Sequence, residues 1–294
     1  MTRPVQPITL AVVIPVGPST SIEFLRDTVE SVQRYTTPDR RIVLVDDSGE
    51  EVCAKLRTIY SEVEVVETGG PSGINGGLYH VLSQGLRYVT ERYEARVVLR
   101  MDVDALIIGE RPEKEAIAYF AKRPRVGILG SYRIDCNGEP RSFTTVGAMI
   151  HRRARGSAWW LKNPWGVWLL RRLLARVSWY GYQMGDHCLG GACFYSSECV
   201  RRLVDARLLG LPELRALDLP EDVLFGILVK AVGMELDDFA TGQRPLGLRW
   251  RGLPCPPEEL VRRGKKIAHS VKPWEDRSEA DIREFFRKHR ETTV

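Results

Sequence analysis

Two aspartates one residue apart, Asp102 and Asp104, follow an apolar run in the segment RVVLRMDVDALIIG. A buried carboxylate has to be paired, protonated or bound to a cation, so these two either face water or hold a positive group. In an extended segment the side chains of residues i and i+2 point the same way, which lets one site hold both. A hard divalent cation binds carboxylate oxygens together with water or phosphate oxygens. The spacing therefore predicts a metal site, and a solvated strand end before a turn is the alternative.

A second acidic pair, Asp46 and Asp47, ends another apolar run in the segment VLVDDSG. A carboxylate at such a strand end can accept hydrogen bonds from the imide of a base, which favours uracil or thymine over adenine. The alternative is that one acid caps the helix predicted to follow. We expect Asp47 to contact a base and Asp46 to have a structural role.

A third acidic pair, Glu221 and Asp222, follows Pro220 at the predicted start of a helix. Acids in the first turn commonly complement the helix dipole, and this is the structural interpretation. The functional interpretation makes Asp222 a general base that takes a proton from an attacking hydroxyl.

The elements that would position these acids alternate between strands and helices in the first half of the chain. Short β-branched runs predict the strands, and apolar residues three or four apart predict the helices. This alternation predicts an α/β fold, with a mostly parallel sheet and helices on both faces. In such sheets ligands bind beyond the carboxyl ends of the strands. The predicted strands are Ile8–Val16, Arg41–Val45, Val63–Glu67 and Arg96–Met101, and the predicted helices begin near Ser19 or Thr20, near Glu51 and near Gly77.

The second half is less regular. Asn137 and Gly138 predict the turn of a hairpin or loop over residues 131–143. The segment CLGGACFYSS predicts a strand, and SECVRRLVDARLL and LPEDVLFGILVKAVG predict two helices. Without an internal repeat or a long linker, the whole of residues 1–294 is expected to form one domain.

The composition is that of an ordinary globular protein, with 44% hydrophobic residues, 28% charged residues and a net charge of +5. There is no zinc-finger spacing and no aromatic RNA-binding motif, so nucleic acid is not an expected partner. Six scattered cysteines without a C-x-x-C pair predict reduced thiols in a cytoplasmic protein. The apolar run at the N-terminus is interrupted by Pro15, and no run reaches the ~18 apolar residues of a membrane helix.

Five of the seven tryptophans lie in the basic segment SAWWLKNPWGVWLLRRLLARVSWYGYQ, residues 157–183. Indole rings beside arginines suit a membrane interface, an aromatic platform for a sugar, or an acceptor cleft. A helix packed on the sheet, with arginines extending to solvent, is the structural alternative. Peripheral membrane contact, if it occurs, is expected through Trp159, Trp160, Trp165 and Trp168.

The order of these motifs over about residues 8–240 resembles that of the nucleotide-sugar-dependent glycosyltransferases of GT-A fold, especially the inverting family 2. The segment VVIPVGPS stands where that family has a strand ending in Ile-Pro, and VLVDDSGEE resembles its Val-Asp-Asp segment. GPSGINGG resembles its Gly-rich turn, MDVD matches its Asp-x-Asp motif, and LPEDVLFG resembles its Glu-Asp helix start. KKIAHSVK is similar to a C-terminal segment that supplies a metal-binding histidine.

The resemblance implies a role for each matching residue. Asp222 is the expected general base, and Asp104 and His269 are the expected ligands of Mn²⁺ or Mg²⁺. A basic flap carrying His269 would bring Arg263 and two lysines to the phosphates, although a solvated basic tail remains an alternative. The residues expected to bind the donor are Pro15, Asp47, Asn75, Asp102 (through ribose or a metal-bound water), Lys265 and Lys266.

The implied function is metal-dependent transfer of a sugar from a UDP- or dTDP-sugar to a hydroxyl acceptor, either a small molecule or a lipid-linked one. Residues 8–130 would bind the nucleotide sugar, residues 131–242 would form an α+β acceptor half, and residues 243–294 would form the flap and tail. The chain departs from the family pattern at Ile74, where an arginine is common, and it lacks the Gln-x-x-Arg-Trp motif of processive synthases.

Two alternatives of other classes stay open. A sugar-nucleotide transferase has a related sheet, but it needs a basic Gly-rich loop where this chain has PVGPSTS. A non-catalytic protein that binds a membrane surface or carbohydrate would use the tryptophan segment instead.

Overall fold

A computed structural model describes residues 5–50 and 52–292 of the chain. Within these residues, seven strands form one sheet in the order β3-β2-β1-β4-β7-β6-β8, and three short strands form a second sheet in the order β5-β10-β9. The strands are β1 (Gln6–Val16), β2 (Arg40–Asp46), β3 (Val63–Glu67), β4 (Tyr93–Met101), β5 (Ala105–Ile107), β6 (Val126–Gly130), β7 (Ala192–Ser196), β8 (Glu235–Asp238), β9 (Leu246–Leu248) and β10 (Ile267–His269).

The large sheet is mostly parallel, as predicted. Strands β1 to β4 pair in parallel, whereas β7 runs antiparallel to both of its neighbours, β4 and β6. Because β8 is parallel to β6, only β7 among the described strands of this sheet runs in the opposite direction. The carboxyl ends of β1, β2 and β4 consequently meet at one edge, where ligands of such sheets bind.

Helices cover both faces of the sheet. Alternate residues of β1 explain this, because Leu10 and Val12 pack on one core cluster and Ala11 and Val13 pack on the other. The helices are α1 (Ile22–Tyr35), α2 (Val52–Ile59), α3 (Gly76–Arg92), α4 (Pro112–Lys122), α5 (Thr144–Arg155), α6 (Ser157–Lys162), α7 (Pro164–Ser178), α8 (Ser197–Asp205), α9 (Pro212–Arg215), α10 (Glu221–Ala231), α11 (Pro257–Arg262) and α12 (Glu279–Thr292).

Of two local predictions, the start of the first helix differs from the structure and the turn at Asn137 and Gly138 matches it. The first helix begins later than predicted, because Ser21 rather than Ser19 or Thr20 caps it by accepting a hydrogen bond from the Phe24 amide. The predicted turn at Asn137 and Gly138 is confirmed, with Gly138 at a φ of +88°. Glu51, where the second helix was predicted to start, lies outside the described residues. None of the described helices has both the length and the apolar composition needed to cross a bilayer.

The C-terminal helix α12 is anchored by a buried ionic cluster. The Arg283 guanidinium lies 3.0 Å from the Asp27 carboxylate on α1, and Arg290 bonds to the same carboxylate. Arg283 also donates to the carbonyl of Val103 at 2.9 Å, and Thr28 donates to that oxygen at 2.6 Å. Because Val103 lies between Asp102 and Asp104, this cluster fixes the turn that carries the two acids.

Asp27→Ala is expected to lower the free energy of unfolding by about 3–5 kcal/mol, because it leaves the buried Arg290 without its counterion and the buried Arg283 with Glu279 alone. Urea denaturation of the purified protein measures this change. The exposed Asp205 on α8 provides the control, and Asp205→Ala is expected to stay within about 0.5 kcal/mol of the wild type. An Asp27→Ala protein that unfolds at the wild-type urea concentration would contradict the anchoring role.

Candidate metal and catalytic site

The Asp-x-Asp motif lies at the carboxyl edge of the large sheet. Asp102 follows β4 directly, and the amide of Ala105 donates to the Asp102 carbonyl at 3.0 Å, which closes a tight turn. The expectation that an extended segment aligns the two acids was therefore wrong. The turn brings their carboxylates together because the Val103 carbonyl is held from the other side by Thr28 and Arg283.

His269 reaches this turn through the small sheet. Strand β10 pairs antiparallel with β5, and the pairing sets His269 opposite Ala105. The His269 Nε2 lies 3.4 Å from Asp104 Oδ1 and 3.8 Å from Asp102 Oδ2. Ligand atoms of all three side chains lie within 4.8 Å of one another. Strand pairing thus joins a residue near the C-terminus to the acids predicted in the first half of the chain.

The hydrogen bonding of His269 leaves its Nε2 directed at the two carboxylates. Its Nδ1 is 2.9 Å from the Arg249 carbonyl, which can only accept, so Nδ1 carries the proton of the neutral ring. Nε2 then presents a lone pair to two carboxylates that also present lone pairs. A metal-binding histidine commonly donates its other N–H to a backbone carbonyl. Two carboxylates and one imidazole fit Mn²⁺ or Mg²⁺, with open positions for phosphate or water.

The two aspartates differ in their electrostatic surroundings. Burial raises the pKa of Asp104, but His269 in its protonated form, Lys272 and Ser270 together outweigh it and hold that pKa well below its usual range. The Lys272 Nζ is 3.2 Å from Asp104 Oδ2, and Ser270 donates to the same oxygen at 2.7 Å. Burial also raises the pKa of Asp102, and there the neighbouring Arg100 and His269 do not offset it. The pKa of Asp102 is therefore held above its usual value, opposite in direction to that of Asp104.

A buried arginine connects the acids to the second half of the chain. One nitrogen of Arg100, Nη2, lies 2.9 Å from Asp102 Oδ1 and 2.9 Å from Glu221 Oε1. Burial and the neighbouring Asp222 raise the pKa of Glu221 to about 8. Arg100 thus joins the Asp-x-Asp turn to the start of α10, and the two acidic motifs belong to one site.

Asp222 stands at the start of α10 with both oxygens oriented. Its Oδ1 accepts from the amide of Val223 at 2.8 Å, and its Oδ2 accepts from the amide of Gly190 at 3.1 Å. His187 Nε2 is 3.7 Å from Oδ2. The interpretation of Asp222 as a helix-terminal acid and its interpretation as a base are compatible, because Oδ2 faces the site rather than the helix axis.

His187 and Arg141 support Asp222 from behind. His187 Nδ1 donates to the Gly185 carbonyl at 2.7 Å, and Nε2 accepts from Arg141 Nη2 at 3.0 Å. Burial lowers the pKa of His187, so the ring is neutral and this pair of bonds sets its tautomer. Neither residue could be assigned to the site from the sequence, since neither lies in a motif. Arg100 was missed as well, although a charge inside an apolar strand was a usable signal.

Gly191 makes room for the His269 ring. A Cβ at this position would lie 2.4 Å from His269 Nδ1, and the backbone φ of +94° also favours glycine. The Gly191 carbonyl accepts from the amide of Asp102 at 2.7 Å, so the two sides of the site meet here. The absence of a side chain at Gly191 is therefore a requirement of the site.

Gly191→Ala is expected to weaken Mn²⁺ binding by about 10- to 100-fold, the usual cost of disturbing the support of a metal ligand. Titration followed by the electron paramagnetic resonance of free Mn²⁺ measures this. Gly138→Ala is the matched control, because Gly138 also has a positive φ but a Cβ there would meet no atom within 4 Å. Equal Mn²⁺ affinities for the two variants would contradict the steric argument.

The two acids at the end of β2 accept hydrogen bonds from neighbouring loops. Asp46 Oδ1 accepts from the amide and hydroxyl of Ser48 at 3.0 and 2.6 Å, which is a structural role. Asp47 accepts from the Thr68 hydroxyl at 2.5 Å and from the Ser72 amide at 2.7 Å. Asp47 thereby fixes the Gly-rich turn at the same sheet edge, and its contact with a base stays a prediction.

The Gly-rich turn packs against the second half of the chain. Asn75 starts α3 and donates to the Asp218 carboxylate at 3.0 Å. A Cβ at Gly76 would lie 2.0 Å from the Arg215 carbonyl, so this glycine permits close backbone packing. Pro15 is buried within β1 opposite Val45, near the carboxyl end of that strand.

The structure does not bring Lys265 and Lys266 to the acids. Lys265 is buried, and its ammonium donates to the carbonyls of Ala240, Gly242 and Arg244 at 2.6, 2.8 and 3.0 Å. Lys266 lies 2.6 Å from the Glu115 carboxylate. Among the flap residues that the structure describes, Lys272 is the lysine that contacts Asp104.

A comparison with protein families agrees with the motif order. Residues 11–172 match the family model described as glycosyl transferase family 2. No curated protein sequence matches the chain. Among solved structures, it is similar to the mannosyltransferase PcManGT from Pyrobaculum calidifontis in complex with GDP-Man and Mn²⁺, at 16% identity and a TM-score of 0.48, covering 80% of this chain and 56% of that one.

A second similar structure is S. aureus TarS 1-349 in complex with UDP, at 16% identity and a TM-score of 0.47, covering 79% of this chain and 58% of that one. The chain thus spans less than two thirds of the length of either protein. The family match by itself covers more than half of the 294 residues, and it confirms the resemblance drawn from the motifs. This chain belongs to glycosyl transferase family 2.

Proposed function

We propose that the protein is a metal-dependent glycosyltransferase that moves a sugar from a nucleoside diphosphate sugar to a hydroxyl acceptor. The observation that carries this proposal is the convergence of Asp102, Asp104 and His269, whose ligand atoms lie within 4.8 Å. Two carboxylates and an imidazole grouped in this way can hold a divalent cation. Family membership supports sugar transfer as the reaction.

Asp104 and His269 are the proposed direct ligands of Mn²⁺ or Mg²⁺, and Asp102 contacts the ribose or a metal-bound water. A divalent ion held there would stabilise the negative charge that develops on the diphosphate leaving group. Lys272, already 3.2 Å from Asp104, adds positive charge on the same side. In this proposal Lys272 takes the place of Lys265 and Lys266, whose ammonium groups bond within the protein.

Asp222 is the proposed general base. Its Oδ2 takes the proton of the acceptor hydroxyl while that oxygen attacks the anomeric carbon and the diphosphate departs. The Gly190 amide orients this oxygen at 3.1 Å. His187 beside it does not compete for the proton, because its Nε2 lone pair accepts from Arg141 at 3.0 Å. A single base on the acceptor side supports direct displacement with inversion of configuration.

The proposed donor is a UDP- or dTDP-sugar. Asp47 supports this choice, because its carboxylate lies at the carboxyl edge of the sheet and can accept from the imide of a pyrimidine. We also propose a cytoplasmic location, since all six cysteines lie in the described residues and are free and buried.

Calorimetric titration of UDP, dTDP and GDP, with and without Mn²⁺, tests this function. Binding of UDP or dTDP is expected to require Mn²⁺, and hydrolysis of the matching donor sugar is expected under the same conditions. If no nucleoside diphosphate binds in a metal-linked manner, the proposed function is wrong.

A further inference from the structure

A group of large apolar side chains is exposed on helices α6 and α7 and the residues that follow them. Leu161 is 83% exposed, Trp165 71%, Trp168 47% and Trp179 89%. Large apolar side chains that cluster on a surface commonly mark a site of interaction. We call this set of four residues, together with Trp160, the tryptophan surface.

The tryptophans of α7 form one stripe along the helix. At about 100° per residue, Trp165, Trp168, Arg172, Arg176 and Trp179 fall within a sector of roughly 80°. The core-facing residues of α7 form a separate stripe, which consists of Val167, Leu170, Leu173 and Val177. Packing of α7 on the protein core therefore explains its aliphatic side and leaves the tryptophan side without a partner among the described residues.

Trp159, which was predicted to join the other tryptophans in membrane contact, does not belong to the exposed set. It packs against the core cluster, and the guanidinium of Arg153 lies 3.8 Å above its ring. The other expected contact residues, Trp160, Trp165 and Trp168, belong to the exposed set. The tryptophan surface therefore includes Trp179 and does not include Trp159.

The segment of the chain that carries the tryptophan surface is basic and contains no acid. Residues 140–185 contain eight arginines and lysines and no aspartate or glutamate, whereas the whole chain has a net charge of only +5. Two of these arginines lie over exposed indoles, with Arg172 5.3 Å from the Trp168 ring and Arg171 5.4 Å from the Trp160 ring. Indole rings with neighbouring guanidinium groups match the boundary between acyl chains and phosphate headgroups.

We propose that the tryptophan surface docks on the surface of an anionic lipid bilayer. The aromatic rings would enter the interfacial layer, and the arginines would meet lipid phosphates. A second copy of this chain is a poor occupant, because a symmetric contact would bring the exposed Arg171, Arg172 and Arg176 of one copy against those of the other. The bilayer complements both the apolar character and the charge of this surface.

The position of this surface gives the docking a consequence for the acceptor. Phe143, next to the start of α5, packs edge-on against His187 at 5.4 Å, and His187 Nε2 lies 3.7 Å from Asp222 Oδ2. Helix α7, whose outer side carries the tryptophan stripe, packs with its other side on α10, the helix that begins at Glu221 and Asp222. Docking would therefore hold the proposed base one helix away from the membrane. If the proposed sugar transfer is right, the acceptor is a lipid-linked hydroxyl compound rather than a freely diffusing one.

Flotation with vesicles tests the docking without reference to sugar transfer. The full chain is expected to float with vesicles of equal parts phosphatidylcholine and phosphatidylglycerol, and to stay at the bottom with phosphatidylcholine alone. Arg172→Glu with Arg176→Glu should weaken partitioning at least about 25-fold, since each basic residue near an anionic leaflet contributes about fivefold. Trp165→Ser with Trp168→Ser and Trp179→Ser should also remove most of the bound fraction.

Two exposed positions outside the tryptophan surface provide matched controls, Trp250→Ser for the aromatic change and Arg125→Glu for the charge change. Both controls are expected to float like the wild type, and all variants should keep the wild-type thermal midpoint because the changed side chains are exposed. Equal flotation of the surface variants and the controls would overturn the proposal. A wild-type dimer in sedimentation that the tryptophan variant abolishes would assign this surface to a second copy instead.

Discussion

Asp104→Asn is expected to abolish Mn²⁺-dependent binding of nucleoside diphosphates and to lower kcat/KM by about 10³-fold or more. A bound divalent ion contributes several kcal/mol to transition-state stabilisation, and each 1.36 kcal/mol corresponds to about tenfold in rate. The amide keeps the size of the carboxylate and can still accept the 2.7 Å hydrogen bond from Ser270. The change therefore removes the negative charge of Asp104 beside His269 and Lys272, while it preserves the packing of the side chain.

Calorimetry of the nucleotide with and without Mn²⁺ measures the first effect, and initial rates with the donor sugar measure the second. Asp205→Asn is the matched control, because Asp205 is an exposed acid at the end of α8 that pairs with Arg201 on the same helix. An Asp104→Asn variant that keeps the Mn²⁺ dependence of the wild type would remove Asp104 from the metal site.

Asp222→Asn is expected to lower kcat by about 10²- to 10⁴-fold, the usual contribution of a positioned general base. The affinity for the donor should stay within about twofold of the wild type. Among the described residues, Asp222 forms no ion pair with Asp102, Asp104 or His269. The amide oxygen can still accept from the Gly190 backbone, and the bond that is lost is the one from the neighbouring Val223 amide.

Single-turnover rates and nucleotide calorimetry separate the two quantities. Glu213→Gln is a suitable control, since Glu213 is an acid in the first turn of another helix, α9, outside the site. If Asp222→Asn turned over at a rate near that of the wild type, Asp222 would be a helix-terminal acid only. If it lost donor binding as well, its role would be structural.

Arg100 makes the two halves of the site interdependent. Its Nη2 forms ion pairs with Asp102, after β4, and with Glu221, at the start of α10, each at 2.9 Å. Together with the Gly191 carbonyl, which accepts from the Asp102 amide, it fixes the distance between the metal ligands and the start of α10. Such rigid support is what a reaction between two bound substrates requires.

The features that depend on short-range geometry could be predicted from the residues alone. Alternating strands and helices follow from residue spacing, and the acids after β2 and β4 were placed correctly at the carboxyl edge of the sheet. The Glu-Asp start of α10 follows from Pro220 and the apolar spacing behind it. These predictions hold because strand and helix periods are properties of neighbouring residues.

Which distant groups meet depends on contacts between segments far apart in the chain. His269 joins the Asp-x-Asp turn because β10 pairs with β5, and Lys265 turns inward because three carbonyls take up its ammonium protons. The tryptophans of α7 face outward because the opposite side of the helix offers the better core contact. No residue spacing encodes these outcomes, since strand order and the choice of a helix's buried side depend on packing between segments far apart in the chain.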